Sequence, residues 1–192
     1  MPRKPRQESP SGLYHFINRG VNKKKIFHNP KDYHYFLGLL REYVEKLGIQ
    51  IYHYCLMSNH AHLIVKTLDL KSLANFGHFI HRRYAYYYCK TYHWSEQVFR
   101  RNFMSIPIKD DAYLLECARY IERNPLDAKL VEDLADYAYS SYLFYAEGKE
   151  GDLLTESPVF EQFGKTKEEQ RTNYKFYVGQ ERPEIKKLTA PF

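Results

Sequence analysis

Ser58-Asn59-His60-Ala61-His62-Leu63-Ile64-Val65 is the stretch whose reading decides this fold. In extended backbone the side chains of residues i and i+2 leave one face, roughly 6–7 Å apart along the strand. His60 and His62 can then present two imidazoles together, while Ala61 packs on the opposite side. Such a triplet is weak evidence alone, because a half-buried polar strand face produces it too. The run before it, Ile49-Gln-Ile-Tyr-His-Tyr-Cys-Leu56, reads as a strand, and Met57-Ser58-Asn59 as a tight connection. The two runs predict an antiparallel hairpin over 49–66. His53 sits on the paired strand, where it is either a partner of the His60–His62 pair or a satisfied strand histidine.

Working outward, Leu13-Tyr-His-Phe-Ile-Asn18 predicts a first strand, followed by a basic loop through Arg19, Gly20 and Lys23–Lys25. Asn29-Pro30 is a helix start, with Asn29 as N-cap and Pro30 at the first helical position. Phe36, Leu39, Leu40, Tyr43, Val44 and Leu47 keep a helical period as far as Gly48, which ends the helix. Leu70 to Tyr92 predicts a long second helix. Val98–Ile108 predicts a fourth strand carrying Arg100 and Arg101 and broken at Pro107. A helix from Asp110 or Asp111 to Arg123 follows, stopped by Asn124-Pro125. Short helices are expected at 140–146, 157–163 and 167–177, and a polar tail from Gln180. This order predicts an α+β fold, a ferredoxin-like antiparallel sheet with helices packed on one face, plus a C-terminal helical extension. The division expected is 1–146 for the main domain and 147–192 for the extension and tail.

The chain has 192 residues and a net charge of +6, which suits an anionic partner. It lacks a run of about 18 apolar residues, so no transmembrane helix is expected. Met1-Pro-Arg-Lys-Pro-Arg6 has no apolar signal-peptide core, and the expected location is the cytoplasm. Cys55, Cys89 and Cys117 are scattered and read as reduced, mostly buried thiols. Of the 19 tyrosines and 12 phenylalanines, most must build core. Tyr84, Tyr86, Tyr87 and Tyr88 lie in the long helix and read as core or partner-facing. His78 and His81 lie three apart there with no third ligand beside them, and read as a polar face.

A two-histidine site needs another protein ligand and open positions for substrate oxygens. On the third helix, Tyr120 and Asn124 are four residues apart, so they stack on one side, next to the apolar stripe Leu114, Cys117/Ala118 and Ile121. A phenol and an amide oxygen would approach the sheet together.

Several blocks taken in order resemble the REP-associated tyrosine transposases, a branch of the single-tyrosine HUH transposases. They are Gly12-Leu-Tyr-His-Phe-Ile-Asn-Arg-Gly20, Tyr54-Cys-Leu-Met-Ser-Asn-His-Ala-His-Leu-Ile-Val65, Val98-Phe-Arg-Arg-Asn-Phe103, the helix Ala112–Val131 with its Tyr-x-x-x-Asn-Pro signature, and Ser140-Ser141-Tyr142. The resemblance implies that Tyr120 is the nucleophile, that His60 and His62 are metal ligands, and that Asn124 is a third, where the wider group often has Gln. It implies a metal-dependent endonuclease and strand transferase for single-stranded DNA, acting at hairpin repeats through a 5′-phosphotyrosine. The implied ion is Mg²⁺ or Mn²⁺, although imidazole ligands by themselves favour zinc, copper or nickel. A free phenol has a pKa near about 10, so the metal or a local cation must assist its deprotonation. Arg19, Arg100 and Arg101 lie in family-like blocks and are the first candidates for DNA contacts. Arg3, Lys4, Arg6, Lys23–Lys25, Arg82 and Arg83 are further basic residues.

The alternatives are a DNA-hairpin binding module that no longer cuts, a replication initiator or relaxase with the same chemistry, and a zinc hydrolase. An intact His60, His62, Tyr120 and Asn124 set argues against the first. Small size argues against the second. The absence of an H-E-x-x-H motif argues against the third. The assembly expected is a monomer or a homodimer.

Overall fold

The computed structural model describes residues 6–100 and 103–180. Its strands are β1 (Leu13–Arg19), β2 (Gln50–Met57), β3 (His60–Lys66) and β4 (Met104–Pro107). Its helices are α1 (Pro30–Leu47), α2 (Leu70–Tyr92), α3 (Asp111–Asp127), α4 (Tyr142–Glu147) and α5 (Lys167–Gly179), with short 3₁₀ turns at Val21–Lys23, Leu134–Asp136 and Pro158–Phe163. The sheet order is β2-β3-β1-β4, antiparallel throughout. This is the ferredoxin-like β-α-β-β-α-β arrangement, in which β3 inserts between β1 and β2.

The local signals act where the sequence places them. Asn29 caps α1 by accepting from Lys31 N at 2.9 Å, and Asp32 reaches back to Asn29 N at 3.2 Å. Gly48 closes the helix with φ 61°, a conformation that glycine adopts without a Cβ penalty. The hairpin turn is only Ser58-Asn59, since Met57 already pairs with His60. A bulge at Tyr52 shifts the β2 register between Ile51 and His53, so that Tyr52 joins the core cluster under α3.

Three expectations need correction. First, helices cover both faces of the sheet. Phe16, Leu63 and Val65 pack with Phe36 and Leu40 of α1 and with Phe76, Ile80 and Tyr84 of α2. Leu13, Met57 and Ile64 pack with Leu114, Cys117 and Ile121 of α3. Both alternating sets of β1 and β3 are apolar enough to need cover, which one helical layer cannot supply.

Second, the stretch 98–108 is not one strand. Phe99 bridges Gly20, and β4 pairs Met104 with Ile17, so the register steps by two residues between the pieces. Phe99 and Phe103 are both buried under α2. An uninterrupted strand would carry Arg101 on that same face, and burying a guanidinium there is costly. Arg101 itself lies outside the described residues, as do Arg3, Lys4 and the tail after Gln180.

Third, Pro125 does not stop α3, which runs on to Asp127. Proline takes away the amide that would bond the Ile121 carbonyl. The Asn124 side chain compensates, with Nδ2 donating to the Tyr120 carbonyl at 2.7 Å and to the Ile121 carbonyl at 3.3 Å.

The tyrosines of α2 other than Tyr86 are structural. Tyr84 is fully buried and donates to the Ile26 carbonyl at 2.5 Å. Tyr87 and Tyr92 donate to the buried Asp32 carboxylate at 2.8 and 2.6 Å. Tyr86 faces solvent. Cys55, Cys89 and Cys117 are free thiols, the first and last buried. No helix among the described residues is long and apolar enough to cross a membrane.

α2 carries a notch at Gly77, where Phe103 lies against the helix and stacks on Phe16 with ring centroids 4.5 Å apart. A Cβ at Gly77 would sit 2.0 Å from the Phe103 ring. Gly77→Ala gains up to about 1 kcal/mol of helix propensity. The forced displacement of a buried ring costs about 1–3 kcal/mol and wins. Chemical denaturation of Gly77→Ala should therefore show net destabilisation, and a stabilised variant would refute this packing.

Candidate active site

The second face of the sheet is apolar under the N-terminal half of α3 and polar beyond it. β1 places Leu13, His15, Ile17 and Arg19 on that face, and β3 places His60, His62 and Ile64 there. The register sets Arg19 opposite His60 and Ile17 opposite His62. On α3, Leu114, Cys117, Ala118 and Ile121 bury against the sheet. That seating brings the next side of the helix, with Tyr120 and Asn124, over the histidines. The result is a cavity of about 240 Å³ lined by Ile17, Arg19, His60, His62, Tyr120 and Asn124.

The imidazole rings of His60 and His62 stand perpendicular, 4.9 Å apart at 87°. The Tyr120 ring meets His62 edge-on at 5.4 Å and 82°. His60 Nδ1 donates to Asn59 Oδ1 at 2.5 Å, which leaves the lone pair on its Nε2. Burial pushes the pKa of His60 down to about 4, with an Asn124 side-chain hydrogen bond opposing and Arg19 adding to the shift. Burial also holds His62 well below its usual range, helped by His15, His60 and Arg19. Both imidazoles are therefore neutral near pH 7 and carry a lone pair, as metal ligation requires. With Nδ2 of Asn124 bonded back into its own helix, its amide oxygen is the remaining donor atom.

The donor set is two imidazoles and an amide. Among the described residues no three His, Cys, Asp or Glu side chains cluster as a metal site. The residues present still fit a divalent ion that keeps open positions for substrate oxygens.

The structure thus gathers Tyr120, His60, His62, Asn124 and Arg19. Arg100 is exposed and outside the cavity, but its backbone N donates to the Arg19 carbonyl at 2.7 Å and so flanks the same strand end. Asn59 donates to the Lys23 carbonyl at 3.2 Å, which brings the Lys23–Lys25 loop to the hairpin turn beside His60. Arg101 lies outside the described residues. Neither His78 nor His81 joins the site. His81 is half-buried, stacks on Phe99 at 4.2 Å and hydrogen-bonds Asn18.

His53 is a structural strand histidine that stands apart from the cavity, with Nδ1 partnered and Nε2 buried without a hydrogen-bond partner among the described residues. Its Nδ1 lies 2.9 Å from Glu122 and its ring stacks on Tyr145 at 4.3 Å. Ser141 Oγ donates to the same Glu122 oxygen at 2.7 Å and accepts from Tyr54 N at 3.0 Å. The neighbour of His62 is instead His15, which the sequence reading passed over. The available signal was the strand alternation itself, which puts His15 and Arg19 on one face of β1.

Residues 9–124 match the family model for IS200-like transposases, and the chain belongs to that family. Its fold is shared with a solved REP-associated tyrosine transposase bound to a REP hairpin, at TM-score 0.66 and 16% identity over 82% of this chain and 96% of that one. A second solved structure, a candidate transposase from Deinococcus radiodurans R1, aligns at TM-score 0.44 and 16% identity over 64% of this chain and 97% of that one. No curated protein matches the chain. The resemblance read in the sequence blocks and the family match agree.

The buried histidines fix the sign of the pH dependence. Burial lowers His15 to about 3, and His60 and His81 to about 4, from 6.5. Between those limits the unfolded chain binds more protons than the folded one, so stability rises with pH. The contribution is fully present above about pH 6.5 and is lost as pH falls toward about 4. Urea unfolding at pH 4.5 should give a lower midpoint than at pH 7. His81→Phe should shrink that difference, and an unchanged midpoint would contradict the burial of these rings.

Proposed function

We propose that the chain is a metal-dependent endonuclease and strand transferase for single-stranded DNA, with Tyr120 as nucleophile. The observation that carries this reading is the convergence of Tyr120 and Asn124 from α3 with His60 and His62 from β3 in one cavity beside Arg19. Membership of a transposase family supports the reaction class. The related fold bound to a REP hairpin supports hairpin DNA as the substrate class.

His60 Nε2, His62 Nε2 and the Asn124 amide oxygen would hold Mg²⁺ or Mn²⁺. When bound, such an ion neutralises charge on the phosphate and favours the phenolate. The residues of the chain do the rest. Arg19 holds a phosphate oxygen by charge-assisted hydrogen bonds. The Tyr120 phenol gives up its proton to solvent, and its oxygen attacks phosphorus. The Tyr120 O–P bond forms as the P–O3′ bond breaks. The departing 3′ oxygen takes a proton and leaves as a 3′-OH, while the 5′ phosphate stays on Tyr120. No atom is lost, so the same 3′-OH can attack the phosphotyrosine and rejoin strands. α3 fixes the phenol beside the histidines by burying its apolar stripe, which confers the orientation such an in-line step needs.

Purified protein is incubated with end-labelled single-stranded hairpin oligonucleotides from repeats flanking its gene, with Mg²⁺ or Mn²⁺, and run on denaturing gels. A metal-dependent covalent adduct is expected. Tyr120→Phe should abolish it without loss of hairpin binding, and His60→Ala or His62→Ala should remove its metal dependence together with the adduct. An adduct that survives in Tyr120→Phe would overturn the nucleophile assignment. Tight binding with no adduct under either metal would favour a binding module that does not cut.

A further inference from the structure

Behind the cavity, on the same sheet face, stands an imidazole that the proposed chemistry does not use. His15 of β1 pairs with Ile64, so it is the diagonal neighbour of His62 across the β1–β3 ladder. It is fully buried. Its Nε2 lies 2.8 Å from Nδ1 of His62, with ring centroids 5.0 Å apart and a 32° interplanar angle. Its other nitrogen, Nδ1, is buried with no hydrogen-bond partner among the described residues.

The two histidines of the cavity are therefore held differently. At His60, Nδ1 faces Asn59 Oδ1, which only accepts, so one tautomer is dictated. At His62 the facing atom is another imidazole nitrogen, and two arrangements are possible. If His62 Nδ1–H donates to His15 Nε2, the lone pair of His62 falls on Nε2, toward the cavity. If His15 Nε2–H donates instead, His62 carries its proton on Nε2 and that nitrogen cannot ligate. The partner of a ligating histidine sets which nitrogen is left for the ion.

We propose that His15 is a positioning residue, whose Nε2 accepts from His62 Nδ1–H and so keeps the His62 Nε2 lone pair turned into the cavity. The proposal rests on the reading of His62 as a metal ligand. In this arrangement His15 carries its own proton on Nδ1, which is what frees Nε2 to accept from His62 across the 2.8 Å contact. A carboxylate in the same place would orient His62 equally well but add a negative charge behind the site. A neutral imidazole orients without weakening the pull on an anionic substrate.

The test pairs two substitutions with two readouts, after thermal unfolding has shown which variants fold. His15→Gln keeps an acceptor oxygen near the position of Nε2, whereas His15→Phe keeps the ring shape and removes the acceptor. Long-range ¹H–¹⁵N correlation spectra of the metal-free protein at pH 7.5 read the tautomer of His62 directly. Wild type and His15→Gln should show the proton on Nδ1, and His15→Phe should shift it toward Nε2. Mn²⁺ titration followed by electron paramagnetic resonance should show about 10–100-fold weaker binding in His15→Phe, with His15→Gln close to wild type. A wild-type His62 protonated on Nε2, or equal Mn²⁺ affinity in wild type and His15→Phe, would overturn the proposal. Wild-type protein that binds neither Mn²⁺ nor Mg²⁺ would overturn the ligand reading of His62 instead, while the tautomer spectrum would still decide the His15 hydrogen bond. If His15→Phe does not fold, the wild-type and His15→Gln spectra carry the decision.

Discussion

The antiparallel register between β1 and β3 is the constraint on which the rest of the structure depends. It sets Arg19 opposite His60, Ile17 opposite His62, and His15 on the diagonal to His62. A slip of one residue would turn every side chain of a strand to the other face. Here such a slip would send His62 under α1 and α2, and Leu63 into the cavity. The register is well defended because both faces are buried. Phe16, Ala61, Leu63 and Ile64 are all at 0% exposure, so no alternative pairing leaves the apolar side chains covered. The site is precise because it is part of this ladder rather than of a loop.

The second constraint is how α3 is held. Its apolar stripe anchors it to the sheet, and its far side is held by charge and hydrogen bonds from the C-terminal segment. Arg123 Nη1 donates to the carbonyls of Val178 and Gly179 at 2.9 and 2.8 Å, satisfying the end of α5. Arg119 pairs with Glu116 at 2.8 Å, and Tyr177 donates to the same carboxylate at 2.9 Å. Glu122, at 0% exposure, ties His53 of β2 to Ser141 ahead of α4. Removing one partner from so buried a group leaves a polar atom unsatisfied, so its members depend on one another. The described part of the C-terminal segment, to Gln180, thus braces the helix that carries Tyr120 from the side away from the cavity lining.

Much of this was legible in the sequence, for identifiable reasons. The hairpin, the capping of α1 and the span of α2 follow from periodicity and short-range chemistry. The stacking of Tyr120 and Asn124 over the histidines follows from helical spacing beside an apolar stripe. What was not legible depends on distant neighbours. Pro125 reads as a stop because the Asn124 side chain that replaces the lost amide bond is invisible in one dimension. His53 and His15 are both strand histidines. Only the bulge at Tyr52 and the β1–β3 register show that the first meets Glu122 and the second meets His62. The break between Phe99 and Met104 comes from packing under α2, and nothing local in the chain announces it.

Charge gives the cavity its chemical bias. Among the described residues none that lines it is acidic: the polar members are two imidazoles, an amide, a phenol and one guanidinium. Burial keeps His60, His62 and His15 neutral, so none of them competes with Arg19 or a divalent ion for an anion. A carboxylate-rich cavity would bind a divalent ion more tightly, yet it would spend that ion's charge on the protein. With neutral donors the charge of an ion held there would remain for the substrate, and a low-dielectric pocket would magnify it. The acidic groups closest in sequence to Tyr120, Glu116 and Glu122, are committed to Arg119, Tyr177, His53 and Ser141 on other sides of α3. The same helix therefore separates its two tasks by face, placing the carboxylates where they brace the fold and the phenol and amide where an anionic backbone would enter.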